Sequence, residues 1–234
     1  MILITGGCSF SEVVEVETWP VHLTSQLDCE SYHQGISCVG NTMITKRVLL
    51  ELSKHMSHKD ELLVGIMWSG PDRSESYTRD TAIINKVQST NTDGWQTNPI
   101  KFPEDDPGGW VVHNVHWTNE FAENYYKYYS RIEGAVNTFQ SILLMQAFLE
   151  QHNIKYFMSN YTAYTFSQKE HPSVNYLADM IDYSKFLSVE GCYEWCRDNT
   201  EQPFKTGDNH PSVEQHKQFT QQVIMPHLNK HNLI

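Results

Sequence analysis

Basic residues are scarce in this chain: 17 Lys and Arg stand against 28 Asp and Glu, a formal net charge of -11. A nucleic-acid partner wants a basic face, so the balance argues against one. Long apolar runs are missing too. Ile142–Met145 is far short of a membrane span, and Met1–Ile4 is too short for a signal-peptide apolar region and has no basic residue before it. The expectation is a cytoplasmic protein with no membrane partner. The five cysteines, Cys8, Cys29, Cys38, Cys192 and Cys196, make an odd count without the spacing of a metal site or a disulfide framework. Reduced thiols are therefore expected, with Cys192 and Cys196 on one face of a helix and no bond required. What the chain has in quantity is aromatic: six Trp, twelve Tyr and ten Phe, a supply that core, carbohydrate-facing clefts and protein interfaces all draw on.

The opening stretch, MILITGGCSFS, organises the rest. Ile2-Leu3-Ile4 reads as a parallel strand buried on both faces, because apolar residues follow one another instead of alternating with polar ones. Gly6-Gly7 permits a sharp turn at its end. Ser9 would then stand at the carboxyl edge of a sheet, where open α/β folds place their ligands. The same local sequence also suits a turn serine that caps the next helix.

Further along, Trp19-Pro20 opens a helix that Thr18 can cap, with Leu23 and Leu27 on its buried stripe. Cys29–His33 is a weakly signalled second strand. A glycine-bearing loop, Gly35–Asn41, leads into a helix that Asn41 or Thr42 would cap, running to about His55. Glu61–Met67 is a clear strand ending at Trp68-Ser69-Gly70-Pro71-Asp72. From about 70 to 119 the pattern breaks down, and we read an irregular insertion that covers or shapes a site. Asn119–Gln151 reads as one long helix or two, Asn153–Ser159 as another strand, and a final helix follows Ser212. Strands alternating with helices predict a single α/β domain over residues 1–234, an α/β/α sandwich around a parallel sheet of about five strands.

An activated serine needs a base, a group to orient that base, and donors for the oxyanion. Ser9, Gly40 with Asn41, Ser69, and Asp208 with His210 all fall in loops predicted at one sheet edge. Here the chain resembles the SGNH (GDSL-type) hydrolase superfamily over essentially its whole length. Gly7-Cys8-Ser9-Phe10-Ser11 is similar to that family's Gly-Asp-Ser-x-Ser, and Asp208-Asn209-His210-Pro211-Ser212 to its late Asp/His block. The GCSFS and Thr18-Trp19-Pro20 opening also resembles SGNH-like proteins encoded by tailed bacteriophages. The resemblance implies a flavodoxin-like three-layer fold, Ser9 as nucleophile, His210 as general base and Asp208 as its orienting partner. It implies oxyanion donors at Ser9 and Gly40, with Cys38 as the other alignment of the second block.

The chain departs from the family in three places. Cys8 replaces an Asp, Asp208 is two residues from His210 rather than three, and no Asn stands in the third block, where Ser69 or Asn41 would have to donate instead. The expected activity is cofactor-free hydrolysis of a short acyl ester, most simply acetyl on a carbohydrate or similar small molecule. Transfer of the acyl group to a glycan is one alternative, and a catalytically silent binding or assembly protein the other. His171 is a rival base, because Glu170-His171-Pro172-Ser173 echoes the His210 segment. The pairs His55/His58 and His113/His116 lack a third ligand at a recognisable spacing, so no metal is expected.

Overall fold

The computed structural model describes residues 1–13, 17–80, 82–83, 108–114, 120–201, 203–205 and 209–234. In chain order its elements are β1 (Ile2–Gly7), α1 (Trp19–Leu27), β2 (Glu30–His33), α2 (Asn41–His55), β3 (Leu62–Trp68), β4 (Arg73–Thr78) and β5 (Gly109–Asn114). Then come α3 (Glu120–Tyr126), α4 (Arg131–Gln151), β6 (Lys155–Asn160), α5 (Asn175–Ala178), α6 (Cys192–Asn199), α7 (Val213–Phe219) and α8 (Met225–Lys230). A π-helical turn, Thr220–Ile224, joins the last two.

Four strands form a parallel sheet in the order β2-β1-β3-β6. Its two faces explain the continuous apolar runs. Ile2, Ile4, Val64, Ile66 and Met158 pack with Met43, Ile44 and Val48 of α2 and Phe139 and Ile142 of α4. Leu3, Leu63, Met67 and Phe157 point the other way, to Trp19 and Leu23 of α1, Cys192 and Cys196 of α6, and Phe219 and Leu228 at the C-terminal end. Each residue of β1 and β3 therefore meets a helix layer, and burial of both faces leaves no place for polar alternation.

The expected fifth strand is reduced to one parallel bridge between Met158 and Phe186, with the Leu187 amide donating to the Met158 carbonyl at 2.9 Å. A 3₁₀ turn at Tyr183–Lys185 and the start of α6 at Cys192 leave little extended chain between them. Asn119–Gln151 resolves into two helices. Ser130 ends the break between them, its hydroxyl accepting from the Glu133 amide at 3.0 Å.

Two sequence expectations need correction. The stretch 70–119 is not irregular throughout: β4 and β5 pair antiparallel, from Arg73 opposite Asn114 to Thr78 opposite Gly109. Helix α2 is capped neither by Asn41 nor by Thr42; its N-cap is Gly40. The reason is tertiary. The Asn41 side chain is engaged by Ser69 and Thr138 and the Thr42 hydroxyl by Glu75 of β4, whose carboxylate also accepts from the Gly40 amide. A Cβ at Gly40 would lie 2.4 Å from the Arg73 carbonyl oxygen, so the hairpin can rest on this helix end only over a glycine.

Candidate active site

Parallel strands deliver their following loops to one edge, and the order β2-β1-β3 reverses direction beside β1, where open sheets leave a crevice. Four loops meet there. Cys8–Ser11 follows β1, Gln34–Gly40 follows β2, Ser69–Asp72 follows β3, and Tyr161 follows β6. The second loop is fastened along the first by Gln34 N–H to Thr5 O at 2.7 Å and Ile36 N–H to Gly7 O at 3.1 Å.

Ser9 starts a short 3₁₀ turn, closed by the Ser11 amide donating to the Cys8 carbonyl at 2.8 Å. The turn is held from below, where Trp19 Nε1 donates to Ser11 Oγ at 2.9 Å. Cys8 is fully buried, while Ser9 keeps a partly exposed side chain. Ser9 Oγ lies 2.7 Å from His210 Nε2, across 201 residues of sequence. His210 stands two residues before the Ser212 N-cap of α7, whose capping box with Gln215 fixes where that helix begins. The Phe10 ring lies against the imidazole at 4.9 Å and edge-on to Tyr161 at 5.5 Å. Serine and imidazole in this contact have the spacing that a nucleophile and its base require. Asp208, the expected orienting partner, lies outside the described residues, as does His116. The rival His171 is exposed, its Nδ1 accepting from the Ser173 amide.

The expected oxyanion donors reach the same edge, but most are engaged there. The Gly40 amide donates to Glu75. Asn41 Nδ2 donates to Ser69 O at 3.0 Å and Thr138 Oγ1 at 2.9 Å, and its Oδ1 accepts from the Ser69 amide at 2.7 Å. Asn41 is thus a buried brace between the β2 and β3 loops rather than an open donor, and the backbone amide of Ser69 is taken up in the same brace.

Four further residues shape the edge. Arg73 Nη1 donates to Ser69 Oγ at 3.1 Å, and its guanidinium lies over the Tyr161 ring at 5.1 Å. Glu75 is half-buried, and burial pushes its carboxyl pKa up despite the Gly40 and Thr42 bonds. Burial likewise pushes the Tyr161 phenol up to about 12 and the Cys38 thiol up to about 11, which keeps both neutral at ordinary pH. Arg73 was visible in the sequence as the first cation after the Ser69 turn. Nothing local marks its placement over Tyr161, which is 88 residues away.

Among the described residues, no group of three or more His, Cys, Asp or Glu side chains is arranged to hold a metal ion, and no helix is long and apolar enough to cross a membrane. No curated protein and no solved structure matches the chain. One family does match, over residues 6–234 and so nearly the whole length: the chain belongs to a family of unknown function, DUF6071.

Proposed function

We propose that this protein is a serine esterase of the SGNH type, built as a flavodoxin-like α/β/α sandwich, that removes a short acyl group from a carbohydrate or similar small substrate. The observation that carries the reading is the 2.7 Å contact between Ser9 Oγ and His210 Nε2 at the carboxyl edge of β1. Ser9 Oγ attacks the acyl carbon as His210 Nε2 takes the hydroxyl proton, and the carbonyl oxygen becomes an oxyanion. When the C–O bond to the alcohol breaks, His210 returns the proton to the departing oxygen. Water then repeats the sequence on the acyl-serine and releases the acid. Asp208 is assigned to hold the imidazole's tautomer.

A specific observation favours one other reading. With the Gly40 amide engaged by Glu75, a binding protein that kept the fold without the chemistry would look the same at that position. Intact mass after incubation with a fluorophosphonate separates the two, run on the wild type and on Ser9→Ala. A single adduct on the wild type that is missing from a folded Ser9→Ala is the expected result. A well-folded wild type without an adduct sinks the esterase reading.

A further inference from the structure

We infer that Arg73 supplies the charge that stabilises the acyl oxyanion on Ser9, in place of the neutral side-chain amide that the third loop lacks. The inference rests on the esterase reading and follows from where the other donors go. Gly40 gives its amide to Glu75, Asn41 gives its side-chain N–H groups to Ser69 and Thr138, and Ser69 gives its amide back to Asn41. Of the expected set, the Ser9 amide, the Cys38 amide of the other alignment and the Ser69 hydroxyl, which accepts from Arg73, are left, and neutral donors alone are a thin cradle for a full negative charge.

Arg73 is placed to complete that cradle. Gly7 of β1 is the register partner of Met67 of β3, so Ser9 and Ser69 leave neighbouring strands at the same height. Arg73 Nη1 sits on the hydroxyl of that same Ser69. A guanidinium carries five N–H donors in a planar fork and stays protonated across the working pH range. Its first polar contact is a serine hydroxyl rather than a carboxylate, and Tyr161 supports it from below. Asp72 and Glu75 are the acidic groups whose charge it feels.

The faces of the sheet add direction. His210 arrives ahead of α7, which packs on the face that holds Phe10 and Phe219. Arg73 begins the hairpin that rests on α2, which packs on the other face. Phe10 touches both the imidazole and the Tyr161 ring, and the guanidinium lies over that same Tyr161. On this inference a carbonyl on Ser9 takes its base from the face of α7 and its cation from the face of α2.

The test is the rate of fluorophosphonate labelling of the full chain. In that reaction the Ser9 Oγ–P bond forms and the P–F bond breaks, fluoride leaves with the electron pair, and His210 takes the serine proton while negative charge gathers on the phosphoryl oxygen. Arg73→Ala is expected to lower the maximal labelling rate about a hundredfold or more, with little change in the half-saturating probe concentration. Added guanidinium ion should restore part of that rate, which a purely structural role for Arg73 would not allow. Arg73→Gln, neutral and similar in length, carries the same expectation if the alanine variant does not fold. A folded Arg73→Ala or Arg73→Gln that labels within about threefold of the wild type overturns this inference and leaves Ser9 as nucleophile. A folded wild type that does not label overturns the esterase reading itself, and this inference with it.

Discussion

Acid should weaken this fold through His216, by an amount that can be worked out. The side chain is 1% exposed on α7, with its ring edge-on to Phe10 at 6.3 Å. Burial, then the neighbouring His22 and His210, push its pKa down to about 3. An unfolded histidine titrates near ~6.5, so the unfolded chain binds this proton first as pH falls. The stability gained from keeping the ring neutral is complete above about pH 6.5 and is lost as pH drops toward the folded value. At pH 5 the loss is about 2 kcal/mol, and near pH 3 it approaches about 5 kcal/mol. Urea unfolding of the wild type and His216→Phe, from about pH 7.5 to pH 5, isolates the effect. His113 and His227, which burial lowers to about 4 each, titrate in both proteins and cancel in the difference. The stability difference between the proteins should shift by about 2 kcal/mol toward the variant over that range. Parallel curves would refute the reasoning.

Two other predictions concern the frame around the site. Gly134 lies in the first turns of α4, where Ala for Gly usually gains up to about 1 kcal/mol. A Cβ there would stand 1.9 Å from the Pro71 carbonyl oxygen, so Gly134→Ala should instead lose about 1–3 kcal/mol in denaturant unfolding, and a stabilised variant would count against the placement of the Ser69–Arg73 loop. Glu75→Gln keeps an acceptor for the Gly40 amide and removes a charge whose burial is unfavourable, as the raised carboxyl pKa shows, so it should unfold at equal or higher urea than the wild type at neutral pH. Glu75→Ala leaves the Gly40 N–H and the Thr42 hydroxyl without that acceptor and should lose about 1–3 kcal/mol; the opposite ranking of the two variants would contradict the capping role.

How much could be read beforehand follows from where each signal is stored. β1 and β3 were plain because burial on both faces writes itself as a run of apolar residues. β2 was faint because ESYH is a half-exposed edge strand with no such run. β4, with the sequence RSESYT, has no apolar signal, and its partner β5 begins 31 residues after it ends. A polar hairpin of that kind is specified by its pairing and by what it rests on. The cap of α2 was misassigned for a related reason: local chemistry pointed to Asn41 and Thr42, but those side chains answer to Ser69, Thr138 and Glu75, all distant in sequence.

The site divides along the same line. Ser9 and His210 each carried a local mark, one at the end of an apolar run and the other just ahead of a capping box, and the parallel topology brings them together across 201 residues. The roles of Asn41 and Ser69 depended on each other, and residue type alone could not say whether an amide would face a substrate or a neighbouring loop. Facing the loop has a mechanical consequence. Three hydrogen bonds through one buried Asn tie the end of β3 to the start of α2 and to Thr138 of α4, so Ser69 has little freedom to move. Arg73 rests on that fixed hydroxyl. On the esterase reading, a flexible cation would have to be ordered anew at each turnover, whereas one braced through Ser69, Asn41 and Thr138 would be ordered before substrate arrives, the condition under which a charge in a half-buried site acts most strongly on a developing oxyanion.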